Sequence, residues 1–555
     1  MLNLHKEYID ESYNSAGEVE NFRLHCPDDF NFAYDVIDRL GTQTPHRRAM
    51  RWTNDRGAKF DLTFRDFKDG SDKAASYFRQ MGIGKGDRVM LIMRRHYQFW
   101  FAILGLHKLG AIAIPATFQL RASDVLYRLR TAGVSAVVCT AEGEASDHVD
   151  DAIAQYEKPV QKIMVMDSKV GWHSFDLGLI TAPPFTKPAP AQLPTADDTM
   201  LLYFTSGTEG NPKMVSHNFR YPIAHIPTAK YWQKVDPDGL HFTVSDSGWA
   251  KSVWGKIYGQ WIMEAGLYVY DFNIFNPGRM LQHMAEDNIT TFCAPPTTFR
   301  YLLQEDLSTY NLTSLQNLTV AGEALPAEVF NDCLRQTGLE LKEGFGQTET
   351  VLSCATYYWM KAKPGSMGKP TGTYPMVLLN NEGQECAPGE PGEICIRADR
   401  GPDQPIGLYQ GYTHAEELTE SVWYDGYYHT HDEAMVDEDG YYWYIGRLDD
   451  MIKTSGFRVG PFEVESVVLG HPAVLECAVT GVPDEHRGQA IKVTVVLRPG
   501  FEATRQLAID IRKYTRSRIS AYKSPRFVEF ATELPKTVSG KVRRAKIRAD
   551  EAAAE

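Results

Sequence analysis

Short β-rich runs alternate with longer stretches of helical character through residues 1 to about 195, and this alternation restricts the fold more than any other feature. "RVMLIM" (Arg88 to Met93) and "SAVVCT" (Ser135 to Thr140) are two such runs. Strands separated by helical segments build a layered α/β unit, because each helix must cover a sheet face before the chain re-enters the sheet. The longest apolar stretch, "FWFAILGLHKLGAIAIPA" from Phe99, is broken by His107, Lys108 and Pro115. A membrane span needs about 20 predominantly apolar residues, so this stretch reads as a buried helix followed by a strand.

The pattern then changes twice. "TKPAPAQLPTADD" (Thr186 to Asp198) is a Pro-rich connector, and more α/β pattern follows, with "GLYVYD" and "ITTFCAPP" as strands. From about residue 365, short strands and Gly/Pro turns point to a small β-barrel or sheet unit. After "GRLDDMIKTSGFRVG" (Gly446 to Gly460) come β-strands in "LECAVTGVPDEHRGQAIKVTVVLRP" and an amphipathic helix in "RQLAIDIRKYTRSRIS". On that helix Leu507, Ile511 and Tyr514 share one face, and Arg512 and Arg516 stack elsewhere. At 555 residues the chain exceeds the size of a single core, so two or more domains are expected.

Composition excludes several classes. Hydrophobic residues make up 43% and charged residues 23%, as in a soluble globular protein. Eight cysteines without a C-x-x-C pair give neither a disulfide framework nor a zinc signature. The opening "MLNLHKEYIDES" is mixed and acidic, so a cytoplasmic protein with no membrane span is expected. A net charge of −13 disfavours nucleic acid as a partner. Between Arg505 and Arg548, however, thirteen Lys or Arg stand against three Asp or Glu. That run is either a solvated face or a site for a polyanion.

"YFTSGTEGNPK" (Tyr203 to Lys213) gathers glycines and hydroxyls around a lysine, as a polyphosphate requires, but lacks the Walker spacing. "TMLLYF" before it is a strand, and "KMVSHN" after it shows no helix start. The expected element is therefore a strand-to-strand turn whose hydroxyls, N–H groups and Lys213 embrace phosphates.

With this loop stand "GFGQTE" (Gly344 to Glu349), "YHTHDEA" (Tyr428 to Ala434), "GRLDDMIKTSGFRVGPFEVE" (Gly446 to Glu465) and "PKTVSGK" (Pro535 to Lys541). In this order and over nearly the whole chain, the sequence resembles the adenylate-forming superfamily of acyl-CoA synthetases, luciferases and peptide-synthetase adenylation domains. The resemblance implies an α/β fold: a large N-terminal domain, residues 1–448, of two layered α/β subdomains plus a small β-barrel, and a smaller mobile α+β C-terminal domain, residues 449–555. It also implies ATP, Mg²⁺ and coenzyme A. A carboxylate attacks the α-phosphate of ATP to give an acyl-adenylate and pyrophosphate, and a thiol then displaces AMP.

Charge gathers at the α-phosphate in the first step, so cations and oriented donors are needed there. By resemblance, Thr205, Ser206, Gly207, Thr208 and Lys213 line the β- and γ-phosphates. Thr348 donates to the α-phosphate, Glu349 holds Mg²⁺, and Lys541 bridges carboxylate and α-phosphate. Asp432 takes the ribose hydroxyls with Arg447 beside it, and Gly322, Glu323 and Ala324 pack on the base near Gly344, Phe345, Gly346 and Gln347. His429 and His431 alone lack the third ligand of a metal site, and the family more often has Gly where His431 stands. The family's hinge maps to Asp449, and Gly456, Arg458 and Arg516 are the coenzyme A candidates.

The chain looks most like the medium-chain members of the acetyl-CoA synthetase branch, above all over Ser245 to Asp271. Acetate-specific relatives close the acyl pocket with a tryptophan where this chain has Gly346, which implies room for a medium or branched chain. Trp232, Trp249, Trp254 and Cys293 are the candidate walls, and Lys251 is either a solvent-edge residue or the partner of a polar acyl group. An aryl or other bulky carboxylate is the alternative substrate. A peptide-synthetase module lacks its amine-binding aspartate here, and a silent nucleotide-binding protein would not need the intact lysine, glutamate and aspartate. The sequence leaves monomer and homodimer equally open.

Overall fold

Two sheets with parallel centres account for most of the N-terminal four-fifths of the chain in the computed structural model, which describes residues 1–205, 212–401, 403–536 and 541–554, without side chains at 552–554. In the first, strands Ile112–Ala116, Arg88–Ile92, Ala136–Thr140 and Gln161–Val165 run parallel. Thr199–Thr205 joins them in parallel, and Lys213–Asn218 returns antiparallel beside it. The second sheet aligns Arg48–Asn54, Gly266–Asp271, Leu240–Thr243, Thr291–Ala294, Asn317–Ala321 and Leu341–Phe345 in parallel. Helices cover such sheets on both faces, so the strands read as near-continuous apolar runs. Ala136–Thr140 and Gly266–Asp271 are buried at every position.

The apolar stretch from Phe99 is a helix, Gln98–Leu109, followed by the strand Ile112–Ala116. Its polar interruptions are satisfied in place. Lys108 is fully buried and ion-paired with Asp38 at 2.7 Å and Asp72 at 2.5 Å. His107 contacts the Tyr258 hydroxyl at 2.9 Å, and burial lowers its pKa to about 3, which keeps the ring neutral. Gly110, at φ 69°, ends the helix in the left-handed conformation that glycine adopts without strain.

The unit expected as a small β-barrel or sheet is a five-stranded antiparallel sheet, made of Met376–Leu379, Pro391–Arg397, Tyr427–Val436, Trp423–Tyr424 and Tyr442–Arg447. The C-terminal segment forms its own five-stranded sheet from Ile452–Thr454, Phe457–Val459, Val474–Asp484, Gly488–Leu497 and Phe527–Phe530. Helices Pro461–Leu469 and Arg505–Arg516 close a separate core around Val464, Val479, Val493 and Ile511. Ile511 and half-buried Leu507 pack into that core and the Tyr514 hydroxyl donates to Gly470 O, while Arg512 and Arg516 are exposed.

Parallel α/β sheets bind ligands beyond the carboxyl ends of their strands. Here that edge of the second sheet carries residues 244–249, 322–324 and 346–349, which include the end of the "GFGQTE" string and the 322–324 turn.

Candidate active site

The strands that flank the phosphate loop are antiparallel neighbours, as the sequence leads one to expect. Thr205 pairs with Lys213 at the last rung of Thr199–Thr205 and Lys213–Asn218. Ser206, Gly207 and Thr208 lie outside the described residues. Lys213 sits over the Tyr412 ring, 5.1 Å from its centroid, and the Tyr412 hydroxyl donates to Glu349 Oε1 at 2.9 Å. The phosphate-loop lysine and the glutamate thus meet on one tyrosine. A His217 ring nitrogen donates to Thr348 O at 2.7 Å, and Tyr409 N donates to Glu349 O at 2.9 Å. Burial lowers the His217 pKa to about 4, so the ring is a neutral donor that fixes the Thr348 backbone. Among the described residues Glu349 Oε2 carries no hydrogen bond. One half-buried carboxylate with a free oxygen suits Mg²⁺, which protein sites hold through one or two carboxylates plus substrate phosphates.

Asp432 lies at the centre of a polar box. Gln347 Nε2 donates to its Oδ2 at 2.6 Å and to Thr430 O at 2.8 Å, while Gln347 Oε1 accepts from the Tyr428 hydroxyl at 2.7 Å. The Tyr444 hydroxyl donates to Asp432 Oδ1 at 2.9 Å. Arg447 pairs with Asp432 across neighbouring strands and brings Nη1 to 3.7 Å from Oδ2. Burial raises the Asp432 pKa, and the charges of Arg447 and Lys541 oppose that rise. Phe345 flanks the box, its ring centroid 6.1 Å from that of Tyr444.

The charge of Lys541 acts on both Asp432 and Lys251. Lys251 Nζ donates to Ala321 O, and a Cβ on Gly322, whose φ is 102°, would stand 3.5 Å from that nitrogen. Burial lowers the Lys251 pKa; Cys293 and Glu323 oppose the shift and Lys541 adds to it. Glu323 Oε2 accepts from Thr297 Oγ1 at 2.9 Å, and Ala324 is half-buried in the same turn. Lys251 is therefore a half-buried residue tied to the 322–324 turn, not a solvent-edge side chain.

Two of the pocket residues take other places. Trp232 is fully buried, donates from Nε1 to Lys342 O at 3.0 Å, and would meet a Cβ on Gly344 at 2.7 Å. It is a core residue beneath the strand Leu341–Phe345. A Cβ on Gly346 would stand 2.4 Å from Val351 O and 2.5 Å from Trp254 Cη2. The space beside Gly346 belongs to Trp254, so the glycine reflects close backbone approach. Trp254, Cys293 and half-buried Trp249 remain around Lys251 as the candidate walls.

Of the C-terminal residues, Arg458 reaches the N-terminal sheet unit, with Asn381 Oδ1 at 3.4 Å and Glu433 Oε1 at 3.6 Å. Gly456, at φ 83°, would place a Cβ in open space. Asp449 lies 3.3 Å from Arg447 Nε, where the two sheet units meet. Part of the basic run is consumed internally: Arg544 pairs with Glu465 at 2.7 Å, Arg548 with Asp450 at 2.9 Å, and Lys523 with Glu463 at 2.5 Å. Arg516 is exposed. Tyr412, Tyr444 and His217 have no sequence signal, because strand pairings between distant segments create their contacts, whereas Tyr428 opens the "YHTHDEA" string.

No helix among the described residues is long and apolar enough to cross a membrane. The pattern of the AMP-binding enzymes matches residues 37–412, and that of the AMP-binding enzyme C-terminal domain matches 463–541. The chain is 34% identical to the mitochondrial acyl-coenzyme A synthetase ACSM3 of Rattus norvegicus over 567 aligned positions, covering 99% of this chain and 96% of that one. With the mitochondrial ACSM5 of the same organism it shares 36% identity, covering 95% and 91%. Its structure resembles that of the anthranilate CoA ligase AuaEII in complex with anthranoyl-AMP, with a TM-score of 0.87 at 27% identity, covering 96% and 99%. A benzoate CoA ligase from Burkholderia xenovorans gives 0.81 at 25%, covering 94% and 100%. These matches show that the chain belongs to the AMP-binding enzyme family.

Proposed function

We propose that the chain is an ATP-dependent acyl-CoA synthetase for medium- or branched-chain carboxylic acids. The observation that carries the reading is that Lys213, Glu349 and Asp432, from three different sheet units, connect through Tyr412 and through Gln347 to the 346–349 turn, with the charge of Lys541 acting on Asp432. Asp432 would accept the ribose hydroxyls with Arg447, and residues 322–324 would pack on adenine. Lys213 and Thr205 would hold the outer phosphates, Thr348 would donate to the α-phosphate, and Glu349 would hold Mg²⁺, which neutralises phosphate charge when bound. A carboxylate oxygen attacks the α-phosphorus and pyrophosphate leaves. Lys541 stabilises the charge gathered between the two groups. The thiolate of coenzyme A then attacks the acyl carbon and AMP leaves.

The second step requires a different face. We assign residues 1–448 and 449–555 to two domains that move about Asp449, with Gly456, Arg458 and Arg516 meeting coenzyme A after the move. Trp249, Lys251, Trp254 and Cys293 border the acyl site. The resemblance of the segment Ser245 to Asp271 to medium-chain enzymes supports the chain length. An aryl carboxylate is the second reading, favoured by the likeness to ligases titled for anthranilate and benzoate. A panel of aliphatic and aryl acids, assayed for pyrophosphate and AMP with and without coenzyme A, tests both. Pyrophosphate release dependent on acid, with AMP turnover only when coenzyme A is present, is expected. Transfer to no acid on the panel would refute the activity.

A further inference from the structure

The strand that presents Asp432 is irregular at the residue before it. His431 adopts φ 58°, a left-handed conformation that side chains with a Cβ rarely take. The pairing of Pro391–Arg397 with Tyr427–Val436 slips at this point: Glu393 pairs with Glu433 and Cys395 with His429, so residues 430–432 face Ile394 alone. A bulge of this kind re-aims a side chain, here that of Asp432 towards Gln347, Tyr444 and Arg447.

One carboxylate sits under the bulge. Glu393 Oε1 accepts the backbone N–H of His431 at 2.8 Å, and Oε2 accepts from His429 Nδ1 at 2.9 Å. The His429 ring is stacked on Tyr424, with centroids 3.7 Å apart and planes at 7°. Thr430 Oγ1 donates to Ile394 O at 2.7 Å and accepts from Asp432 N at 3.1 Å. Burial works against the charge on Glu393, yet His429 and the His431 N–H hold its pKa below the ordinary value.

We propose that Glu393 is a positioning residue for nucleotide binding: by holding the His431 N–H and the His429 ring, it fixes the left-handed bulge that aims Asp432 at the ribose. The inference rests on the reading of Asp432 as the ribose carboxylate. The same three side chains, Glu393, Cys395 and His429, bring ligand atoms within 4.8 Å of one another, the spacing of a metal site. Coordination through His429 Nδ1 would put the ring proton on Nε2, which is buried with no partner among the described residues. Ligating histidines almost always donate that proton to an acceptor, so the geometry favours Nδ1–H on Glu393.

The test is calorimetric binding of AMP and of 2′,3′-dideoxy-AMP, which offers Asp432 no hydroxyl, to the full chain. Glu393→Ala should weaken AMP about tenfold and the dideoxy nucleotide less than about twofold. Glu393→Gln keeps an acceptor for the His431 N–H and should stay within about threefold of the parent. His431→Gly should bind AMP as the parent does, and the double variant Glu393→Ala/His431→Gly should regain that affinity, because glycine takes positive φ unaided. Equal weakening of both nucleotides, or no rescue by glycine, overturns the proposal. Asp432→Ala separates the levels: unchanged AMP affinity in that variant refutes the ribose reading itself. Loss of affinity there but not in Glu393→Ala refutes only the positioning role. One zinc ion retained per parent chain after dialysis and lost in Glu393→Ala would replace it with a metal site.

Discussion

Gly346 tolerates no side chain, and the reason is local. A Cβ there would lie 2.4 Å from the Val351 carbonyl oxygen, a backbone atom that yields only by moving the turn holding Thr348 and Glu349. Gly346→Trp, which the resemblance to acetate enzymes would suggest as a switch to short acids, should instead lose activity on every acid. Overpacking costs about 1–3 kcal/mol even where the backbone can adjust. The ratio of kcat/KM for acetate to that for hexanoate decides: a raised ratio with acetate activity retained would restore Gly346 to the acyl pocket. Trp254→Leu should shift the same ratio without abolishing adenylation, because Trp254 stands where that indole would go. A second residue-scale prediction concerns Glu343, whose Oε1 accepts from Leu325 N at 3.2 Å and whose buried Oε2 has no partner among the described residues. Burial pushes its pKa up to about 8 from 4.5. The folded chain then binds more protons than the unfolded one between those values, so this group lowers stability as pH rises, by about 1.4 kcal/mol per unit. Glu343→Gln removes that slope, and the melting temperature of the variant minus that of the parent should grow from pH 5 to pH 8. A constant difference would mean that Glu343 is ionised throughout. The named motif residues were legible because each lies in a short string with one chemistry. Gln347, Tyr444 and Tyr412 as partners of Asp432 and Glu349 were not, since strand pairing far along the chain makes those contacts.

At the scale of elements, period and punctuation carried far. The strands Gly266–Asp271 and Thr291–Ala294 and the helix Arg505–Arg516 stand where apolar runs and an amphipathic face put them. The return strand after the phosphate loop followed from the missing helix start after Lys213. What pattern could not give was the bulge before Asp432, because the slip depends on Glu393 in another strand; the Gly that the family more often has at the position of His431 was its one signal. The basic run illustrates the same limit: Arg544 and Arg548 serve Glu465 and Asp450, whereas Arg512 and Arg516 face solvent. The charge of Lys541 acts on Asp432, and directly after it Val542 bridges Lys536 before the helix Arg544–Ala554. That placement predicts a split between the half-reactions. Lys541→Ala should abolish acyl-adenylate formation, losing about 3 kcal/mol or more of transition-state stabilisation. Thioester formation from supplied acyl-adenylate should remain close to that of the parent. Equal loss in both, in a variant with the parent's melting temperature, would remove Lys541 from a step-specific role.

For the molecule as a whole, the question is how one set of domains serves two reactions. The C-terminal segment has its own core, as a body that moves requires. In this pose it meets the N-terminal part at Arg458, at Arg300, whose Nη1 donates to Leu475 O at 3.1 Å, and at Phe462, whose ring centroid lies 6.2 Å from that of Tyr444. Arg458 is the most exposed of these contacts: its side chain is 37% exposed, and its partners Asn381 and Glu433 lie at 3.4 and 3.6 Å. Such a contact is worth about 0–1 kcal/mol, enough to bias a pose and too little to lock it. Arg458→Ala should therefore change adenylation by less than about fivefold. It should raise the KM for coenzyme A if the arginine meets phosphate after the move. Asp449 presents the sharper case. It follows the strand Tyr442–Arg447, where the N-terminal unit ends, and precedes the strand Ile452–Thr454, where the C-terminal sheet begins. A rotation of one body against the other must be absorbed by the few dihedrals between those strands, since the strands are fixed by their ladders. Asp449→Pro confines φ to about −65° and also restricts Leu448. With the charge of Lys541 already felt at Asp432 in this pose, the variant should keep acid-dependent pyrophosphate release and lose thioester formation. The measurement is a single-turnover assay that follows acyl-adenylate and acyl-CoA separately. Adenylate that accumulates and persists when coenzyme A is added supports Asp449 as the pivot. If adenylate consumption by coenzyme A keeps the parent's rate, the rotation is absorbed elsewhere between Leu448 and Met451. If the first step fails instead, this pose itself depends on a φ at residue 449 that proline cannot take.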